Sequence, residues 1–484
     1  MLVFAAVVLS CHYKKEDGQP KPNVLFITVD DLRPTLGCYG DTKAISPNID
    51  NLAANGVVFN RAYCQLAVCN PSRASVMTGL RPDQIGVTDL HRHFREKLPD
   101  VVTLPQLFIK NGYHAVGIGK IYHGSKRAQD SLSWTQPALF NLSVKANEYV
   151  LPENKTGEKE AAYEQAGLED TGYEDGQITQ QAIRQLQAFK ESGKPFFLAV
   201  GFKKPHLPFA APKKYWGLYE PSLFDTIPGK AKPAEAPEIA FHHSQELRGY
   251  NGIPEHGDLD ISKERNLWHG YYACVSFVDA QVGKIMQTLK VLELDQNTVV
   301  VLWGDHGYHL GEQELWCKST NFELDTRIPL IISAPGQSKA GAQSNSIVEA
   351  LDIYPTLADL CGLNPEGELA GISLKPVLKN PKAEVKEAAF SQFGRPYEAL
   401  FAQSPDYMGY SVRTKNWRCT AWFNLQSDSI EYTELYLLEN DKIEKQNHSG
   451  DNRFKETESE LIRLLWHYKN RAYTTFKYKK INSF

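Results

Sequence analysis

Asn23-Val24-Leu25-Phe26-Ile27-Thr28-Val29-Asp30-Asp31 is the stretch on which the fold turns. Its apolar, β-branched run lacks polar alternation and reads as a strand buried on both faces, ending in two carboxylates delivered to the strand's C-terminal edge. Three more runs repeat the pattern. His114–Gly119 is followed by Lys120 and His123, Pro195–Phe202 by His206, and Thr298–Trp303 by Asp305 and His306. A largely parallel sheet brings such strand ends to one edge, which is where open α/β sheets place their sites. A fifth run, Ile328–Ser333, is a further strand closed by Pro335-Gly336.

Helical patterns alternate with these runs. Pro47–Asn55 is one, and in Leu267–Leu289 the residues Leu267, Tyr271, Cys274, Val278, Val282, Ile285 and Leu289 recur at steps of three and four. The fold class is therefore α/β, a large mostly parallel central sheet flanked by helices. Stretches 125–180 and 225–265 are polar, rich in Gly, Pro, Asp and Glu, and too long for simple connections, so they are expected to line the mouth of a pocket. After about Leu374 the chain turns to short aromatic strands at Met408–Arg413, Trp417–Trp422 and Glu434–Leu438, then a helix near Glu456–Tyr468. The expected organisation is a leader and tether over 1–20, a catalytic domain over 21–374, and a smaller α+β subdomain over 375–484.

Composition narrows the function. The 484 residues suffice for both cores, and 53 Lys+Arg against 57 Asp+Glu offer no overall basic surface for nucleic acid. Eight cysteines are scattered without a CxxC, which excludes a zinc ribbon or dense disulfide scaffold and leaves most of them as small buried side chains. The apolar run Leu2–Leu9 is too short to span a bilayer and reads as a signal h-region. Val8-Leu9-Ser10-Cys11 follows it like a bacterial lipobox, so export to the periplasm or as an outer-membrane lipoprotein held by a lipidated Cys11 is expected.

The chemistry centres on Cys69-Asn-Pro-Ser-Arg73-Ala-Ser-Val-Met-Thr78-Gly79. Pro71 suits the first turn of a helix, which puts Cys69 at a helix N-terminus where N–H groups and the macrodipole favour an anion. On those grounds alone the cysteine is either an activated thiolate or part of an anion site. Asp30-Asp31 and Asp305-His306 add three carboxylates and an imidazole, a donor set for a divalent cation, although either pair alone is as readily a helix cap.

Cys69, Pro71, Ser72, Arg73, Thr78 and Gly79 match the C-x-P-S-R-x4-T-G signature, and here the chain resembles the type I sulfatases, a branch of the alkaline-phosphatase-like superfamily. Asp31-Leu-Arg-Pro, Gly37-Cys-Tyr-Gly, Gly119-Lys-Ile-Tyr-His, Lys204-Pro-His-Leu-Pro-Phe, Gly304-Asp-His-Gly-Tyr-His-Leu-Gly-Glu and Met408-Gly-Tyr-Ser-Val-Arg-Thr look like the iduronate-2-sulfatase-like group within it. The resemblance implies that a maturase oxidises Cys69 to formylglycine, with Ca²⁺ held by Asp30, Asp31, Asp305, His306 and residue 69. It also implies a catalytic set of Cys69, Arg73, Lys120, His123, His206 and Lys318. Arg73 would orient the formylglycine, whose hydrate attacks sulfur, while Lys120 and Lys318 hold the sulfuryl oxygens. His206 would protonate the leaving sugar oxygen and His123 would take the proton that releases sulfate.

The expected substrate is a sulfated oligosaccharide, with exo action on a 2-O-sulfated uronic acid favoured over another host or algal sulfated glycan. His91, Arg92, His93 and Arg95 follow the nucleophile motif as a cationic cluster suited to a uronate carboxylate, or equally as a solvated loop. Tyr308, His309, Cys317 and Ser319 depart from the group's pattern, and Tyr308 is a candidate sugar contact as well as a packing residue. Two rival readings are a phosphate or phosphonate ester hydrolase of the same superfamily and a catalytically silent protein that binds sulfated glycans.

Overall fold

A computed structural model of the chain describes residues 21–470 apart from 125, 141, 143–148, 155–159, 403 and 439–442. The leader over 1–20 and Cys11 lie outside the described residues. Four of the apolar runs form the parallel heart of an eight-stranded sheet. Its order is Arg327–Ile328, Val57–Tyr63, Leu330–Ser333, Thr298–Gly304, Asn23–Val29, Phe196–Phe202 and His114–Gly119, with Ala342–Glu349 also paired to Val57–Tyr63. Asn23–Val29 runs parallel between Thr298–Gly304 and Phe196–Phe202, and all seven of its residues are buried. Leu330–Ser333 is antiparallel to both of its neighbours, which makes the sheet mixed at that side. The expected strand Ile328–Ser333 is two strands: Pro329 lacks the N–H that a continuous ladder needs.

Alternate residues of the strands feed two cores. Leu25, Ile27 and Val29 pack under the helices Glu174–Ser192 and Ile261–Val291, whereas Val24 and Phe26 face Cys69–Thr78, Leu104–Lys110 and Ile353–Leu360. Glu174–Ser192 corrects the reading of 125–180 as a polar excursion throughout, since Ile178, Ala182, Leu186 and Phe189 give its end a buried helical stripe. The rest of that stretch reinforces the sheet's flank. Leu139 bridges to Ile118, and Tyr163–Ala166 pairs with Phe209–Pro212.

The C-terminal part is a four-stranded antiparallel sheet, Ala389–Arg395, Tyr407–Arg413, Trp417–Asn424 and Ser429–Leu437, covered by the helix Lys455–Asn470. Its own core runs from Ala388 to Tyr468, while Leu374, Val377 and Leu378 pack into the large domain. Buried ion pairs join the two parts: Glu323 takes Arg413 at 2.9 Å and Arg418 at 2.6 Å, and Glu349 takes Lys386 at 2.7 Å. No helix among the described residues is long and apolar enough to cross a membrane.

Candidate active site

The polar residues after the parallel strands converge where the sheet ends. Gly119 makes one close approach possible: its φ is +78°, and a Cβ there would lie 2.1 Å from the Gly201 carbonyl oxygen. The amide of Lys120 donates to that oxygen at 2.9 Å, which aims the lysine side chain across the strand ends.

Opposite them the helix Cys69–Thr78 begins at Cys69, with Val68 supplying no side-chain cap, and all ten of its residues are buried. Ser72 donates its hydroxyl to the Asp305 carbonyl, tying the helix to the end of Thr298–Gly304. Arg73 is fully buried and completes the tie. Its Nε meets Asp305 Oδ2 at 2.8 Å and one terminal nitrogen meets Asp30 Oδ1 at 2.9 Å, while the other donates to the carbonyls of Lys120 and Ile121. The guanidinium thus sets the carboxylates and strand ends, and reaches residue 69 only through its charge.

Cys69 Sγ lies 3.4 Å from His306 Nε2 and 3.6 Å from Lys120 Nζ. Burial pushes its thiol well above the ordinary value, reinforced by Asp30, so the sulfur is protonated and is not the activated thiolate that a helix N-terminus alone would suggest. Lys120 also pairs with Asp30. Lys318 Nζ lies 2.9 Å from Asp31 Oδ2. Asp31, Cys317 and Ser319 hold φ of 56°, 72° and 96°, so the backbone on both sides of this pair is strained for residues with a Cβ.

Whether these groups suit a divalent cation is decided by what they lack. His306 Nδ1 sits 2.9 Å from the Gly307 carbonyl, which can only accept, so that nitrogen carries the hydrogen and Nε2 presents a lone pair. That lone pair faces Asp31 Oδ1 at 3.3 Å and Asp305 Oδ2 at 3.7 Å, and the buried Asp31 Oδ1 has no hydrogen-bond partner. Burial raises the Asp31 carboxyl to about 7, against the pull of Lys318. Lone pairs converging with no hydrogen between them fit a cation. Ligand atoms of Asp30, Asp31, Cys69 and His206 lie within 4.8 Å of one another, as do those of Cys69, Asp305 and His306, so the expected donors meet at residue 69.

His206 and His123 sit at the rim of this cluster. His206 Nδ1 contacts the Leu207 carbonyl at 2.5 Å, and Nε2 looks toward Asp31 Oδ2 at 3.9 Å. Burial, with Lys318 and Lys120, holds its imidazole well below the usual range. Burial and Lys120 likewise push His123 down to about 3, leaving it neutral and disfavouring its protonation; its buried Nδ1 has no hydrogen-bond partner.

Glu246 went unnoticed in the sequence. It rides on the short helix Gln245–Arg248 and places Oε1 2.6 Å from Lys318 Nζ and 3.3 Å from His206 Nε2. A carboxylate there supplies an opposite charge that favours a proton on His206 Nε2, against the burial and the two lysine charges that disfavour it. Its only trace in the sequence is its place in the 225–265 excursion, which does line the site through this residue.

The expected cationic cluster is divided. Asn70, next to Cys69, donates to the carbonyls of Asp89 and Arg92, both at 2.9 Å, and so holds the 89–92 loop against the helix start. His91 is exposed on that loop, and Arg92 pairs with Asp89 at 3.3 Å. Arg95 is withdrawn from the candidate contacts. Its guanidinium is consumed by Asp130 at 2.6 and 2.9 Å, by Gln106 and by the carbonyls of Pro99 and Val101. His93 accepts from the Arg95 amide. Tyr308 is withdrawn as well: its buried ring stacks on Tyr271 at 5.5 Å and its hydroxyl contacts Cys317 Sγ at 3.2 Å, behind Lys318.

A divalent cation held by these carboxylates beside Lys120 and Lys318 would make the pocket positive and suit a substrate that is itself an anion, and general acid–base groups beside it suit cleavage of an ester bond. The class is thus a hydrolase of anionic esters. A family model described as "Sulfatase" matches residues 22–363, and one described as "N-sulphoglucosamine sulphohydrolase, C-terminal" matches residues 311–471. Iduronate 2-sulfatase of Homo sapiens is 32% identical over 89% of this chain and 91% of that protein. N-acetylglucosamine-6-O-sulfatase of Bacteroides thetaiotaomicron is 28% identical over 96% of this chain and 89% of that protein. The chain belongs to the sulfatase family and is a sulfuric ester hydrolase. Phosphonate monoester hydrolase of Agrobacterium radiobacter shares the fold with a TM-score of 0.79 at 24% identity, over 95% of this chain and 98% of that one.

Proposed function

We propose that this enzyme removes sulfate from a sulfated saccharide, acting from the end of the chain on a 2-O-sulfated uronic acid. The observation that carries the chemistry is the convergence of Asp30, Asp31, Asp305 and the His306 Nε2 lone pair on Cys69. The sugar rests on the 32% identity to iduronate 2-sulfatase over nearly the whole of both chains. The site takes Ca²⁺ at Asp30, Asp31, Asp305 and His306, and formylglycine at residue 69. Bound there, the cation would supply Lewis acidity and the modified residue an oxygen nucleophile, where the unmodified chain has only a thiol that burial keeps protonated.

The chain's own residues do the rest. Lys120 and Lys318 keep permanent positive charge beside the sulfuryl oxygens, and the N-terminal turn of Cys69–Thr78 adds its dipole. His206, with Glu246 beside Nε2, would donate the proton to the leaving oxygen once the anionic substrate and Glu246 together offset the burial and lysine charges that hold the free imidazole neutral. His123, neutral, accepts the proton that accompanies release of sulfate. Arg73 keeps Asp30 and Asp305 in place.

Modification of Cys69 requires a maturase, since Pro71 and Arg73 match a recognition motif and no neighbouring group is an oxidant. The apolar run before Cys11 is the support for export, which would put the enzyme among extracellular polysaccharides. Sulfate release should be measured in parallel on defined 2-O-, 4-O- and 6-O-sulfated saccharides, an aryl sulfate, and phosphate and phosphonate esters. Preference for the 2-O-sulfated uronate end is expected. Preference for 6-O or internal sulfates would remove the substrate assignment, and preference for phosphonate would favour the rival hydrolase. Peptide mass spectrometry should show an aldehyde at residue 69, and full activity with an intact thiol would remove the nucleophile.

A further inference from the structure

The segment after Arg395 crosses from the C-terminal sheet back to the nucleophile helix. Tyr397 and Leu400 are buried in a small core with Leu66, Val68 and Phe393, immediately before Cys69. The Leu90 amide donates to the Leu400 carbonyl at 3.2 Å, and Gln245 donates to Glu398 at 3.4 Å. The segment is therefore fastened both to the 89–92 loop, which Asn70 holds, and to the helix that carries Glu246.

Its aromatic side chains form a continuous row. The Tyr397 ring stacks on His242 with centroids 5.2 Å apart and planes 25° apart. Phe401 follows at 6.2 Å, and His91 lies 6.3 Å beyond it. Burial raises the Tyr397 phenol, and the neighbouring carboxylate of Glu246 raises it further. The other end of the row is different: Phe401 is 54% exposed, although Ala399 and Leu400 just before it are buried. An exposed Phe on a segment pinned at three places serves no core, and a ring presented this way beside His91, on the loop that also carries Arg92, combines an apolar face with polar side chains.

We infer that Tyr397 and Phe401, with His91 and Arg92, form a subsite for a second sugar ring, the pyranose glycosidically linked to the sulfated residue held at Cys69. The C–H face of a pyranose is apolar and would stack on Phe401, while a sulfate or carboxylate on that ring would meet His91 and Arg92. Glu246 beside Tyr397 sets the opposite condition at the inner end, disfavouring an anionic substituent there and favouring hydroxyls. The subsite rests on the saccharide reading above, and makes the enzyme selective for oligosaccharides over single sugars.

The test compares the best sulfated oligosaccharide of the desulfation screen, as a tetrasaccharide, with its terminal sulfated monosaccharide, in wild type, Phe401→Ala and Phe401→Trp enzymes. Melting temperatures serve as the folding control, since a side chain this exposed carries little of the core. Phe401→Ala should lower kcat/KM roughly tenfold more for the tetrasaccharide than for the monosaccharide, chiefly through KM, and Phe401→Trp should restore the difference. Equal losses on the two substrates, or no loss on either, would overturn the subsite and leave the saccharide sulfatase intact. Wild-type enzyme that frees sulfate from no saccharide would bring down both.

Discussion

Arg73→Met is the substitution on which the account of the site is most exposed. Methionine fills much of the same buried volume but removes the charge that stands between Asp30 and Asp305. Breaking a fully buried pair costs about 3–5 kcal/mol, because the remaining carboxylate is left uncompensated. Two strand-end carbonyls, of Lys120 and Ile121, lose their donor as well. The total should therefore stand at or above about 4 kcal/mol, a large part of the roughly 5–15 kcal/mol by which a domain is stable. A cation bound by the same carboxylates would stabilise either protein, by about 2.7 kcal/mol at a concentration one hundred times its dissociation constant, and would return part of the loss because the variant, with its carboxylates uncompensated, binds the cation more tightly than the wild type. Urea unfolding followed by circular dichroism, in chelator and in saturating Ca²⁺, measures both terms. Sulfate release from the same samples should be lost in each condition. Arg73→Lys should fall between, since an ammonium cannot fork to both carboxylates. A loss of stability under about 1 kcal/mol, or one that Ca²⁺ leaves unchanged, would refute the claim that Arg73 and the cation share these carboxylates.

Thorough chelation, or Asp305→Ala, should abolish turnover, and a metal-depleted sample that kept its rate would exclude the cation site. His206→Ala should cost roughly 10²- to 10⁴-fold on a sugar sulfate but much less on an activated aryl sulfate, whose leaving group needs no proton; equal losses would make His206 a binding residue. Glu246→Gln should reproduce the direction of that leaving-group effect in milder form, read as the ratio of sugar-sulfate to aryl-sulfate kcat, and an unchanged ratio would leave Glu246 as a tether for Lys318 alone. His309 lies between Asp325 Oδ1 at 2.6 Å and Gln313 Oε1 at 2.9 Å, two acceptors that favour the doubly protonated ring. Burial opposes that charge, but Asp325 outweighs it and raises the pKa above 6.5. The stabilisation it contributes is thus complete below pH 6.5 and disappears as pH rises through the raised folded value, so unfolding free energies measured across that window should lose this slope in His309→Asn.

Two further features bear on how the site holds together. Among the described residues Arg395 has no carboxylate in hydrogen-bond contact, and it donates instead to the carbonyls of Ile239, Ala240 and Ser319, packing over Trp422. It pins the 225–265 excursion and the Lys318 strand end to the C-terminal sheet, so the smaller part of the chain helps to hold the catalytic edge. The Glu323 and Glu349 ion pairs act in the same direction.

The apolar runs determined the heart of this molecule without reference to anything distant. A run with no polar alternation is buried on both faces, parallel strands are the usual home of such runs, and a parallel sheet aligns its strand ends, so Asp30, Asp31, Lys120, His206, Asp305 and His306 were bound to meet. Pro71 likewise announced the helix start at Cys69 from its own backbone chemistry. The pattern said less about Val57–Tyr63 and Ala342–Glu349, whose polar residues blunt the signal of a strand although pairing buries their backbones. What only the tertiary structure decided are the partners that arrive singly. Glu246 in a polar excursion has the local sequence of any solvated acid, and Phe401 that of any helix-turn aromatic. Arg95 among neighbouring cations reads as a free charge until Asp130 is found against it. Periodicity reports how much of a segment is buried; which distant groups share that burial depends on how the elements pack, and a lone side chain carries no period from which to read it.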